Sequence, residues 1–171
     1  RMNGDLTNDL GNLSLRVLSM IFKNCSGVMP ALPATAAPED SALLDATDAM
    51  LGKVRAHMDV QSFHEALRCI WEVVSDANKY VDTTAPWGLK KTDPVRMGEV
   101  LAVLAETIRQ AAILVQPVMP GSASKILDQL GVADGQRGFD MLVGAGRIAA
   151  GVEISKPEPV FPRFVEEEGE V

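Results

Sequence analysis

Apolar residues return every three or four positions along most of this chain, which is the spacing of one face of an α-helix. At 3.6 residues per turn, Leu6, Leu10, Leu13, Val17, Met20 and Ile21 fall within about 100° of one another. That predicts an amphipathic helix from residue 5 to Asn24. Gly27 and Pro30 end it, and residues 28–37 read as an extended connector. A second helix carries Leu43, Leu44, Thr47, Leu51, Val54 and Met58 on its inner face. The third opens on a capping box, Ser62 to Glu65, and keeps a narrow stripe of Phe63, Ala66, Leu67, Ile70, Val74, Ala77 and Val81. Trp71 lies near that stripe and is expected in the core.

Residues 83–91 read as a loop, and Asp93-Pro94 as the N-cap and first position of a fourth helix. Its stripe is Met97, Leu101, Leu104, Ile108, Ala111 and Val115. A short fifth helix over residues 122–130 stops at Gly131. Period-two alternation is nearly absent. The pattern therefore predicts an all-α fold, a bundle of about five helices over residues 1–131. Residues 132–171 differ: Gly131 to Gly151 carries glycines at 131, 135, 138, 144, 146 and 151, then come prolines at 157, 159 and 162 that forbid a helix. They are expected to form an irregular extension that packs back on the bundle or on another domain.

Composition narrows the possible functions. Of 171 residues, 47% are apolar, so the chain can bury a core, and the longest apolar runs, such as residues 100–105, are too short to span a bilayer. Two cysteines and no leader-like start fit a reducing cytoplasm. The chain starts with Arg1 inside a helical pattern, as a piece of a longer protein would. The net charge of −7 argues against loose adhesion to nucleic acid or anionic membrane, though residues 163–171 alone supply −3 of it. A local, specific site stays open.

Two features suggest one. Asn8, Asn12 and Arg16 recur every fourth residue and share a face about 130° from the first helix's apolar stripe. Carboxamides and a guanidinium in a row can read the hydrogen-bonding edge of a base, although a solvated helix face has the same spacing. The second feature is Pro86-Trp87, where a stiffened backbone presents an indole beside Lys90, Lys91 and Arg96. An unstacked nucleotide needs such a platform, although the ring could equally plug the bundle end. His57, His64, Cys25 and Cys69 show no metal-ligand spacing, and Gly144-Ala-Gly-Arg-Ile-Ala149 lacks the βαβ setting of a dinucleotide fingerprint. No nucleophile or acid–base pair can be assembled, so no catalytic residue is assigned.

The block from Asn3 to Arg16, the pair Ala77-Asn-Lys-Tyr-Val-Asp82 and Ala85-Pro-Trp-Gly-Leu-Lys90, and the ending Lys156-Pro-Glu-Pro-Val-Phe-Pro-Arg163 closely resemble the C-terminal part of bacterial methionyl-tRNA synthetases. The resemblance covers nearly the whole chain. It implies the anticodon-binding bundle of a class I synthetase, in which the positions matching Asn8, Asn12, Arg16, Pro86 and Trp87 recognise the CAU anticodon of tRNA(Met). It also implies a parent enzyme that attaches methionine to this tRNA using ATP with magnesium. The nucleotide-binding signatures of that family's catalytic domain do not occur in these residues, so this piece is expected to bind no cofactor and to be inactive alone. Its expected partners are the anticodon loop and that catalytic domain, to which the off-stripe Leu15 and Leu18 would turn unless they meet another helix. Two other readings compete. One is a helical interaction or assembly module without RNA specificity, favoured by the acidic charge. The other is the anticodon domain of a different class I synthetase, which would prefer another triplet.

Overall fold

The computed structural model describes residues 9–142 and 146–161. It contains six α-helices: α1 (Asn12–Asn24), α2 (Pro38–Asp59), α3 (Phe63–Thr84), α4 (Pro86–Thr92), α5 (Pro94–Val115) and α6 (Pro120–Gln129). Two short 3-10 turns follow α6. No strand is formed among the described residues, and one isolated bridge pairs Val28 with Glu153. The all-α reading holds. The additional helix is α4, which occupies the stretch that reads as a loop in the sequence. Its breakers sit at its edges: Ala85 takes the left-handed conformation (φ 42°), Pro86 needs no amide partner at the first position, and Asp93 ends the helix.

Helix α1 follows a turn of π-helix at residues 9–11, and residues 5–8, where its apolar pattern begins, lie outside the described residues. Leu10, Leu13, Val17 and Ile21 are fully buried, as their stripe predicts, and so is Leu18. Leu18 therefore belongs to this chain's own core, while Leu15 is half-buried. At α3 the capping box does not form. Ser62 makes no side-chain cap, because the carboxylate of Glu65 pairs with Arg68 and lies against His64 instead. At α5 the reading is correct: the Asp93 carboxylate accepts from the amide of Arg96 at 2.9 Å.

Helix α5 is the axis of the bundle. Its sequence suggests one buried stripe, yet residues 100–115 are buried on every side, including Glu106, Thr107, Arg109 and Gln110. Helices α1, α2, α3, α4 and α6 all pack against it. Its polar side is closed by same-face neighbours three and four residues on and by the returning segment. The Glu106 carboxylate accepts from Arg109 (2.9 and 2.8 Å), from Gln110 (2.8 Å) and from the backbone amide of Ile148 (2.9 Å).

Residues 146–161 run back across the bundle. The amides of Gly151 and Ile154 donate to Met29 and Gly27, and Met29 donates to Val152. Further on, Ser155 and Glu158 bond to the backbone and side chain of Gln129. Gly131 makes this close approach possible. It has φ +72°, and a Cβ there would stand 2.5 Å from the carbonyl oxygen of Glu153.

Candidate nucleic-acid interface

The end of the bundle where α3 meets α5 carries the candidate residues. Helix α4 is a short helix of about two turns between them, and its first residues decide what it shows to solvent. Pro86 is buried, and Leu89 is partly buried against the core. The neighbouring Trp87 is left 52% exposed, so it does not plug the bundle end. A ring of that size held half in water on a proline-started helix is a fixed apolar surface.

Arg16 comes to it from the other side. On α1, Arg16 and Asn12 both lie on the exposed face, one turn apart. The guanidinium carbon of Arg16 stands 5.7 Å from the centre of the Trp87 ring, within cation–π range. Its Nη2 also donates to Asp82 Oδ1 at 3.0 Å. Asp82 lies in the last turn of α3, so three helices meet in one small surface: α1 through Arg16, α3 through Asp82 and α4 through Trp87. Sequence separation hid this. Arg16 and Asp82 are 66 positions apart, and no periodic rule links them. Asp82 was visible only as part of the Ala77–Asp82 block. Asn8 lies outside the described residues.

Arg96 does not belong to this surface as a free cation. Its guanidinium forms a bidentate pair with Asp40, Nη1 to Oδ2 at 2.6 Å and Nη2 to Oδ1 at 2.7 Å. Tyr80 Oη donates to the same carboxylate at 2.6 Å, and the Ala37 amide at 3.2 Å. Asp40 is wholly buried. The basic character beside Trp87 thus reduces to Lys90 and Lys91, both exposed on the last turn of α4.

Burial pushes the Asp40 carboxyl up, but the hydrogen bonds from Arg96, Tyr80 and Ala37 and the charge of Arg96 together outweigh it. They hold its pKa below the ordinary aspartate value. Burial first, and then Asp40 itself, drive the Tyr80 phenol well above its usual range, which keeps it a donor. A carboxyl depressed in the folded state stabilises the fold fully above its unfolded pKa. It loses that contribution as pH falls from there through the folded value. Urea unfolding across a pH series should therefore show stability declining below the ordinary aspartate range, and Asp40→Asn should flatten that decline. An unchanged slope in the variant would show that other carboxylates govern acid unfolding.

Among the described residues no three His, Cys, Asp or Glu side chains gather as a metal site requires, and no helix is long and apolar enough to cross a membrane. Nothing catalytic is assembled at the surface either. Its chemistry is recognition: an aromatic face, a pinned guanidinium, a carboxamide and two flexible ammonium groups.

A helical bundle that exposes an indole beside a guanidinium, a carboxamide and ammonium groups has the surface chemistry of RNA-reading modules. Comparison with known proteins makes this specific. The family described as the anticodon binding domain of methionyl tRNA ligase matches residues 30–171. The methionine--tRNA ligase of Rhizobium meliloti is 49% identical over 96% of this chain, and that of Brucella suis 50% identical over 97%. The apo structure of Mycobacterium tuberculosis methionyl-tRNA synthetase superimposes with a TM-score of 0.93 at 46% identity, covering 98% of this chain and 34% of that one. A second structure of that enzyme, in complex with methionyl-adenylate, gives 0.91. The chain belongs to the methionyl-tRNA ligase anticodon-binding domain family. It spans about a third of the length of the relatives it matches.

Proposed function

We propose that this chain recognises the CAU anticodon of tRNA(Met), with Trp87 as the stacking platform, Arg16 and Asn12 as base-contacting groups and Asn8 completing the row. Pro86, being buried, serves by starting α4 and so aiming the ring. The observation that carries this reading is the half-exposed Trp87 ring with the Arg16 guanidinium 5.7 Å from its centre. An unstacked base that comes to the indole finds the Arg16 guanidinium already standing over the same ring. Affinity then comes from stacking and edge hydrogen bonds. The net charge of −7 weakens contact with bulk RNA and so penalises wrong partners.

The parent ligase would join methionine to the same tRNA. ATP with magnesium would be handled by its catalytic portion, which forms the second partner of this module and works in the cytoplasm. Residues 1–131 serve as the reading bundle and residues 132–171 as its extension toward that portion. The relative solved in complex with methionyl-adenylate supports placing the ATP chemistry in another portion of the ligase, since this chain covers only 32% of it.

A fluorescence titration with a CAU anticodon stem-loop, against one with only the wobble cytosine changed, tests the reading at fixed moderate salt. Tighter binding to CAU by about tenfold, near 1.4 kcal/mol, is expected. Equal affinity for the two would overturn it.

A further inference from the structure

We infer that Asp40, a residue of α2 remote in sequence from the candidate interface, positions the Trp87 platform. The inference rests on the anticodon reading only for what the platform binds. That Asp40 sets where the ring stands follows from the geometry alone.

A seven-residue helix cannot hold its own orientation in water, because nucleation is costly and few bonds repay it. Helix α4 therefore inherits its direction from its two roots, the end of α3 at Thr84 and the start of α5 at Pro94. Both roots are tied to one carboxylate. Tyr80, one turn before the end of α3, donates its hydroxyl to Asp40 Oδ1. Arg96, in the first turn of α5, takes both oxygens in a fork, and Glu39 adds a weaker contact to the same guanidinium at 3.3 Å. The fork fixes angle as well as distance, as bidentate arginine–carboxylate pairs do. The Ala37 amide in turn locks the carboxylate to the start of α2. The spacing between the two roots is thus set by a wholly buried group on a third helix. On α4 Pro86 is buried and Leu89 partly so, which seats one face of the short helix against α5 and makes its setting follow that root. Moving the α5 root relative to the α3 root would swing Trp87 relative to Arg16, which Asp82 holds to the end of α3.

The test uses the 171-residue chain with 5-fluorotryptophan at both tryptophans, read by fluorine NMR well below the melting temperature. Trp71, partly buried in mid-α3, is the internal control. In Asp40→Asn and in Tyr80→Phe, the Trp87 resonance is expected to shift or broaden while that of Trp71 stays in place. The preference for the CAU stem-loop over its wobble variant should fall at least threefold in each. In a Trp87→Ala background Tyr80→Phe should bring no further loss of affinity, because a positioning residue acts only through what it positions. Should Asp40→Asn fail to fold, Tyr80→Phe, which removes one hydroxyl, decides alone. A lowered melting temperature with an unmoved Trp87 resonance would make the cluster merely structural and overturn the inference, as would movement of both resonances. If the unsubstituted chain shows no preference for CAU, the anticodon reading fails, and the fluorine spectra still decide whether Asp40 places the ring.

Discussion

Trp87→Ala is expected to weaken binding of a CAU stem-loop by about 1–3 kcal/mol, roughly 5- to 150-fold, while leaving the melting temperature nearly unchanged. The two halves of that result have separate causes. Stacking of a base on an indole brings most of its free energy from the ring face, and alanine offers none. Stability is spared because the ring is 52% exposed in the free chain, so its removal opens no cavity in the core. The buried residues beside it, Pro86 and the end of α3, stay where they are. Isothermal titration beside thermal unfolding separates the two quantities. An unfolded variant would mean that Trp87 closes the bundle, and a folded variant with full affinity would remove it from the interface.

The largest effect on stability should come from the axis helix. Glu106 is fully buried and accepts from Arg109, Gln110 and the amide of Ile148. Its partner Arg109 is 3% exposed at the side chain and also points at the carbonyl of Met141. Glu106→Ala leaves that guanidinium buried without its counter-charge, which typically costs about 3–5 kcal/mol. It also frees the Ile148 amide, so hydrogen exchange there should accelerate well beyond that of the α5 core. Urea unfolding measures the first effect. Replacing Glu106 and Arg109 together by leucine should recover much of the loss, since no charge is then left unpaired. A loss below about 1 kcal/mol for Glu106→Ala would show that this pair is solvated and that the returning segment is held by other contacts.

These two sites differ in how far a reader of the sequence could reach them. Trp87 was legible because an indole after proline in a polar stretch is wasteful unless it packs or binds. Arg16 and Asn12 were legible from a period of four opposite an apolar stripe. Arg96 was misread as a nearby cation, since linear charge counting cannot show that Asp40 takes it 56 positions away. Helix α4 was missed because its proline and glycine read as breakers, whereas proline at the first position starts a helix without losing a bond. The capping box at Ser62 was a correct pattern with the wrong outcome, because Arg68, three residues on, claims Glu65.

By itself the sequence determined five of the six described helices and most of their inner faces, though Met58 and Phe63 are exposed, the return to irregular chain after Gly131, and the row of groups suited to a base. All of these are short-range properties, fixed by side-chain period and by the local conformations that glycine and proline allow. Only the tertiary structure decided that α5 is buried on every side and that its acidic and basic residues face each other under the returning segment. It alone placed Arg16 against Trp87 and tied both roots of α4 to Asp40. Apart from the Glu106–Arg109 pair, three positions apart on one helix, those are contacts between residues dozens of positions apart, chosen when helices pack and each buried charge must find a partner.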